Sequence, residues 1–379
     1  MAELRIRPVA GRRELEQFLR VPGAIYRDDP NWVPPLLFER LQHLDPRRNP
    51  FLRAIEIRYF IALRGDAPVG RISAQINRRH LARHDDASGH FGFLEAVDDE
   101  EVFAALLETA ENWVRAQGMR RLAGPFNPSI NDECGLLVDG FDTPPSMMMG
   151  HARRYYAARL ERLGYRKAKD LIAYDFDVAG PWPPAAARLL ARARGMRGLS
   201  FRPLDMRRYE EEILAICRIF NDAWAHNWGF VPFDEEEARY MGRSIRPLVT
   251  ARCFAFGEVD GEPVAMTVTL PNINEAIRDL GGRLWPFGWA RLLWRLKVRG
   301  VRTWRMPLMG VCRRFQGTPR GAALALGVID EVKSYHRRRG VRRAELSWVL
   351  EDNRPTRQLI ETVGGVPYKR YRIYAKELS

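Results

Sequence analysis

This sequence predicts an α/β protein: two tandem domains of like design, each a mixed, mostly antiparallel sheet flanked by helices. Three observations carry the prediction. The chain has 379 residues, enough for two or three domains at roughly 100–200 residues each. Hydrophobic residues make up 46% and charged residues 28%, which excludes disordered, collagen-like and disulfide-scaffold classes. And the chain repeats itself, element by element.

Leu4-Arg5-Ile6-Arg7-Pro8-Val9 matches Leu199-Ser200-Phe201-Arg202-Pro203-Leu204 at an offset of 195. Each stretch reads as a strand followed by an acid-rich helical segment. Residues 59–77 then read strand, turn (Gly65-Asp66), strand, and residues 253–274 read the same with turn Asp260-Gly261; Pro68 and Pro263 keep the offset of 195. Alternating apolar residues on either side of a Gly-Asp or Asp-Gly pair are the hairpin signal. A helical pattern over 100–117 ends at Gly118, and one over 320–339 ends at Gly340, now at an offset of 222. Leu160-Glu161 with Gly164 matches Ile360-Glu361 with Gly364 at an offset of 200, and each pair leads into a terminal strand, Tyr174 against Tyr374. The changing offset locates two insertions: one near 275–304 in the second copy, one near 125–150 in the first. Four matches in order make a repeat. Val178-Ala179-Gly180-Pro181-Trp182-Pro183-Pro184 has linker composition, so the expected domains are 1–178 and 199–379. Residues 179–198 form the linker and a connecting helix expected to pack across the join.

The formal net charge is +14, and only six of the 61 basic residues are lysine. A cationic surface favours an anionic partner without choosing among nucleic acid, lipid and a phosphorylated cofactor. The scattered arginines form no stripe of the kind a nucleic-acid groove needs, so no nucleic-acid partner is expected. Cysteines at 134, 217, 253 and 312 make no CxxC pair, and reduced buried thiols are expected. No run of 18 apolar residues is long enough to span a membrane. Residues 1–8 have no apolar signal core, so a cytoplasmic protein is expected, with peripheral contact at the inner face of the membrane through residues 283–304.

The second copy carries the chemistry. A strand ending at Val311 runs through Arg313-Arg314 to Gly317-Thr318-Pro319-Arg320-Gly321 and a helix. A small residue for close approach, basic residues for charge and a helix N-terminus aimed at an anion are what a phosphate cradle requires. Thr318 suits the N-cap and Pro319 the first helical position. Further on, the strand 345–350 ends in Glu351-Asp352-Asn353 and a short helix to Gly364-Gly365. This order resembles the GCN5-related N-acetyltransferase (GNAT) fold. In that fold the Arg/Gln-x-x-Gly-x-Gly/Ala loop wraps the coenzyme A pyrophosphate, and an Asn after the next strand meets the pantetheine arm. The resemblance implies acyl-CoA contacts at Val311, Arg313, Arg314, Gly317, Thr318, Arg320, Gly321 and Asn353. Pro319 departs from the usual Gly/Ala and removes one donor. The tyrosine that often follows the Asn by seven residues is here Ile360; Tyr368, Tyr371 or Tyr374 substitutes, or the thiolate leaves unaided.

In the first copy the corresponding helix starts at Asp98-Asp99-Glu100-Glu101, carboxylates that suit the helix dipole and repel pyrophosphate. One acyl-CoA site per chain is expected, as in other tandem GNAT proteins with one degenerate half. The whole chain also resembles the bacterial ceramide synthase-like N-acyltransferase family, through Asp28-Asp29-Pro30-Asn31-Trp32-Val33-Pro34-Pro35, Arg71-Ile72-Ser73-Ala74-Gln75-Ile76-Asn77 and Gly124-Pro125-Phe126-Asn127-Pro128-Ser129-Ile130-Asn131-Asp132-Glu133. The resemblance implies transfer of an acyl group from acyl-CoA, or an acyl carrier protein, to a lipid-like amine such as a sphingoid base, with no metal. Glu351 or His226 is the expected base, and backbone N–H groups of strand 305–311 are expected to hold the oxyanion. Asn127, Asn131, Trp228 and Asn274 are the expected acceptor contacts. Two readings stay open beside this one: acetyl transfer to a small polar amine, and a basic binding protein that keeps the fold without turnover.

Two other features need a reading. In the second insertion, Trp285, Trp289, Leu292, Leu293 and Leu296 share a helical face, Arg291, Arg295, Lys297 and Arg299 lie off it, and Trp294 falls opposite. That layout suits a membrane-interface helix or packing on protein. His80, His84 and His90 have partial metal spacing with no third strong ligand fixed, so no metal is expected.

Overall fold

A computed structural model describes residues 2–378. The chain forms two compact units that do not follow its contiguous halves. Among the described residues the first contains 2–171, 277–290 and 369–378; the second contains 172–276 and 291–368. The end of each half's last strand is therefore built into the other unit. The linker helix Pro184–Arg194 belongs to the second unit, against the long helix Pro319–Arg338. Asp330 of that helix accepts from Trp182 Nε1 at 2.9 Å and Arg194 at 2.5 Å.

Within each unit the repeat holds. In the first, the strand order is Leu4–Pro8, Ile55–Arg64, Ala67–Asn77, Ser88–Ala96, Arg121–Gly124, then the C-terminal strand Val366–Glu377. Tyr374 pairs with Gly124. In the second it is Leu199–Arg202, Phe254–Val259, Glu262–Pro271, Thr303–Val311, Arg343–Leu350, then Arg166–Asp177. Each unit has one parallel pair bridged by a helix: Ser88–Ala96 with Arg121–Gly124 through Glu100–Ala116, and Thr303–Val311 with Arg343–Leu350 through Pro319–Arg338. A parallel connection needs such a crossover, whereas the antiparallel neighbours Ile55–Arg64 with Ala67–Asn77 and Phe254–Val259 with Glu262–Pro271 are closed by tight turns. At Asp260-Gly261 both φ values are positive, 51° and 85°, the turn that matches strand twist. In the second unit the long helix buries Leu324, Val328 and Val332 against Ala255, Val264 and Ala265.

The first unit's core includes a charged group. Glu95 is hydrogen-bonded by the hydroxyls of Tyr26 and Tyr156, each at 2.7 Å. Burial pushes its carboxyl up to about 7, against the pull of Arg71 and the two hydroxyls. The folded state thus holds this proton above the ordinary carboxylate range. The resulting stability is complete below about pH 4.5 and is lost as pH rises through about 7. Chemical denaturation of Glu95→Gln should lack this decline, which amounts to at most about 3 kcal/mol in the native protein.

Candidate functional site

The turn after Val311 is held from outside itself. The Asp222 carboxylate, at the end of helix Tyr209–Ala223, accepts from the Arg313 backbone N–H at 2.7 Å and from its Nε at 3.0 Å. Burial raises the Asp222 carboxyl, and these two bonds outweigh it, holding it below the usual carboxylate range. Gln316 Nε2 donates to the carbonyls of Val311 at 2.9 Å and Ala223 at 3.1 Å. Gly317 has φ +73°, a region other residues enter at a cost. Thr318 caps the long helix, its Oγ accepting from Gly321 N–H at 3.0 Å. A Cβ on Gly321 would lie 2.0 Å from the Phe315 carbonyl oxygen, so only glycine lets the helix start this close to the turn.

These bonds engage the N–H groups of Arg313, Phe315, Gln316, Thr318, Gly321 and Ala322. Those of Gly317 and Arg320 meet no acceptor among the described residues. Arg320 is exposed, and Arg314 is exposed and paired with Glu262 at 2.6 Å. Two N–H groups, two arginines and the start of a 20-residue helix fit a pyrophosphate. Pro319, without an N–H, costs the cradle nothing that these groups do not supply.

Beside the loop, the parallel strands part. Their pairing runs from Thr303–Arg343 to Met306–Leu346 and stops. A cavity of about 70 Å³ opens where they separate, with Met306, Pro307 and Met309 on one side and Leu346 to Leu350 on the other. Trp224, Asn227, Ile329, Asn353, Thr356 and Ile360 complete it. The Trp224 and Trp348 rings lie 5.8 Å apart.

At the fork sits a buried polar network. Arg305 and Glu345 face each other in register, 3% and 5% exposed. Arg305 Nε donates to Ser347 Oγ at 3.0 Å. Ser347 and Tyr368 both donate from their hydroxyls to the Glu345 carboxylate. A buried carboxylate is tolerated only when paired and bonded like this. Ser347 also lines the cavity, so the network reaches its wall.

The sequence-predicted residues divide into three sets. Val311, Arg313, Arg314, Gly317, Thr318, Arg320 and Gly321 make up the loop, and Asn353 both caps the helix Arg354–Thr362 and lines the cavity. Among them Arg313 is turned to anchoring, with its guanidinium on Asp222 and 2.9 Å from His226 Nε2. Glu351, His226, Trp228 and Asn274 are not in the cavity wall. Glu351 offers its carbonyl to Arg357 at 2.8 Å, His226 is exposed beside Arg313, and Asn274 lies in the helix Ile273–Ile277. Asn127 and Asn131 belong to the first unit. Of the candidate acids, Tyr368 joins the network, whereas Tyr371 and Tyr374 fall in the first unit. The residues that sequence reasoning passed over are Asp222, Trp224, Arg305, Glu345 and Ser347. A signal for three of them was present: charged and hydroxyl side chains inside strands otherwise apolar.

In the first unit the corresponding strand edge is filled. Its parallel pair runs only from Ser88–Arg121 to His90–Ala123, and the extra loop of this copy occupies the adjoining edge. Asn127 Oδ1 accepts from Phe93 N–H at 2.5 Å and its Nδ2 donates to Glu133 at 2.7 Å. Gln75 Nε2 donates to the carbonyls of Phe126 and Pro128. Gly92 admits this chain, since a Cβ there would lie 1.8 Å from the Phe126 oxygen. Asn127 thus clamps the loop, and Asn131 sits in its turn, its N–H on Ser129 Oγ at 3.1 Å. The acids at the helix start are internally paired: Arg64 with Asp99 and Glu101, each at 2.6 Å, and Arg159 with Asp98 at 2.9 Å and Glu100 at 2.8 Å. A depression of about 700 Å³ nearby is lined by Asp28, Asp29, Asp98 and Asp142 beside Arg153 and Arg154, acid-rich where the second unit's loop is basic.

No group of three His, Cys, Asp or Glu side chains among the described residues could hold a metal, and no described helix is long and apolar enough to cross a membrane.

A parted parallel pair beside a basic, glycine-bearing helix start defines an N-acyltransferase on a tandem GNAT fold. The fold is shared with a tandem GNAT protein from the clavulanic acid biosynthesis pathway, at TM-score 0.58 and 15% identity over 99% of this chain and 98% of that one. It is also shared with a GCN5-related N-acetyltransferase from Sphaerobacter thermophilus, at TM-score 0.55 and 14% identity over 99% and 95%. In sequence the chain is 46% identical to the bacterial ceramide synthase of Caulobacter vibrioides (strain NA1000 / CB15N), over 100% of this chain and 98% of that protein. It is 44% identical to the protein YghO of Escherichia coli (strain K12), over 98% and 95%. The chain belongs to the bacterial ceramide synthase family. No family model matches it.

Proposed function

We propose that this protein transfers an acyl group from a coenzyme A thioester to the amine of a lipid-like acceptor, a sphingoid base being the acceptor that the name of its Caulobacter relative supports. The observation that carries the reading is the apolar wall of Met, Trp, Leu, Val and Ile side chains directly beside the basic loop. The loop binds the pyrophosphate, and the acyl end enters the gap between the strands. The amine gives its proton to Glu345 through Ser347, its nitrogen bonds to the thioester carbonyl carbon, the C–S bond breaks and the thiolate leaves. Tyr368, already on Glu345, is the hydroxyl nearest that relay. The backbone of the unpaired edge at 307–311 supplies the polar groups around the carbonyl oxygen.

One observation favours the second reading, acetyl transfer to a small polar amine. The cavity takes only the first atoms of an acyl chain, with Trp224 and Trp348 across it. A long chain needs the indoles to swing aside. Turnover is expected to be at least about tenfold faster with long-chain acyl-CoA than with acetyl-CoA on a sphingoid base, the scale of one or two well-buried methylenes. Thiol release measured across chain lengths and with a small polar amine decides it. Equal or faster acetyl transfer on any acceptor rejects the lipid reading.

A further inference from the structure

Seven of the nine exposed large hydrophobic side chains among the described residues are Phe38, Trp285, Phe287, Trp289, Leu293, Trp294 and Val298. Six of them come from one stretch of fourteen residues, 285–298. Trp285 is 81% exposed, Phe287 and Val298 73% each, and Trp294 53%. The segment is ordered: helix Gly288–Trp294 continues into a π-helical turn, Arg295–Arg299. Its exposed face differs from the one expected from ideal helical spacing. Leu292 and Leu296 turn inward and are half-buried, while Trp294 joins Trp289, Leu293 and Val298 outside. Exposed Phe38 lies near the start of this segment, since the neighbouring Leu37 N–H donates to the Gly282 carbonyl at 3.2 Å.

An ordered apolar patch left facing water marks a contact surface. Its composition decides the partner. From 283 to 299 the chain has no acid and no Ser, Thr, Asn or Gln, and no acid occurs between Asp279 and Asp330. Arg283, Arg291 and Arg299 are exposed around the indoles. A protein interface of useful size carries about one hydrogen bond per 100–200 Å², and this stretch offers few neutral groups to make them. Indole rings instead settle at the level of lipid headgroups, and arginines at their edge meet anionic phosphates. We infer that segment 283–299, with Phe38, docks this protein onto the surface of a bilayer bearing anionic headgroups. The inference does not rest on the acyl-transfer reading, and a chain of any activity could carry the surface.

The test is flotation of the full-length protein with phosphatidylcholine vesicles and with vesicles that also contain phosphatidylglycerol. The wild type should float with the anionic vesicles and lose binding as salt rises. Trp285→Ser, Phe287→Ser and Trp294→Ser combined should reduce the partition coefficient at least about tenfold. These exposed side chains leave the far-UV circular dichroism and melting temperature unchanged. If the triple variant fails to fold, Trp285→Ser alone serves, read as loss of fluorescence quenching by brominated lipid. Wild-type protein that stays unbound, or a variant that binds as well as it, overturns the inference. So does wild-type protein that self-associates through these residues and does not float, since the patch would then join two copies of the chain.

Discussion

Gly321→Val is expected to abolish binding of a coenzyme A thioester. The first atom of any side chain there falls 2.0 Å from the Phe315 carbonyl oxygen. That oxygen is fixed by two bonds, from Thr318 N–H at 3.2 Å and Thr318 Oγ at 2.7 Å. Relieving the clash must either push the turn off Asp222 or pull the helix start away, and both spoil the Gly317 and Arg320 N–H groups together. Gly317→Asp should give the same loss by another route: nothing crowds a Cβ there, but the positive φ resists a side chain and the carboxylate repels phosphate. Arg314→Ala should weaken binding by roughly 1–3 kcal/mol, the scale of a charge-assisted hydrogen bond. Asp98→Ala and Glu100→Ala should leave affinity near wild type, because those acids serve Arg159 in the first unit. Calorimetry with a non-hydrolysable acyl-CoA checks all five, with one site per chain expected. Two sites, or a loss confined to the first-unit variants, would move the donor site to the other unit.

Glu345→Gln should lower kcat by about a hundredfold or more, the usual loss on removing a general base, with little change in KM. The amide oxygen keeps one hydroxyl bond and the amide nitrogen donates to the other hydroxyl, so the side chain stays bonded while the proton acceptor and the charge facing Arg305 are lost. Glu345→Ala is expected to unfold more easily by about 3–5 kcal/mol, since it removes the hydrogen bonds to Ser347 and Tyr368 together with the counter-charge of buried Arg305. The pair of variants therefore separates chemistry from support. Ser347→Ala should follow Glu345→Gln in kcat if protons pass through the hydroxyl. His226→Ala and Glu351→Gln should stay within about tenfold of wild type, as neither side chain lines the cavity. Single-turnover kinetics with saturating donor gives the comparison. A full rate in Glu345→Gln, or a hundredfold loss in either of the last two, would return the base to the residues read from sequence.

The sequence by itself determined the repeat, the hairpins, both insertions and the loop from Val311 to Gly321. These are local features. A strand, a Gly turn and an N-cap are written in adjacent residues, so Thr318, Pro319 and the Asp260-Gly261 turn announce themselves. The acids from Asp98 to Glu101 likewise mark where the first copy differs from that basic loop. The tertiary structure alone decided three things. It joined Glu345 to Ser347, which lines the cavity, because Glu345 meets Arg305, forty residues earlier in the chain, only in a parallel register. It showed that Asn127 fills the first unit's strand edge, a contact set by Phe93 and Gly92 across a long loop. And it assigned the end of each half's last strand to the other unit, which no contiguous reading of a repeat can reveal. The physical reason is common to all three. Capping and turn preferences act over a few residues, whereas a buried charge, a filled gap and a strand's neighbour depend on which distant segments the folded sheet brings within hydrogen-bond reach.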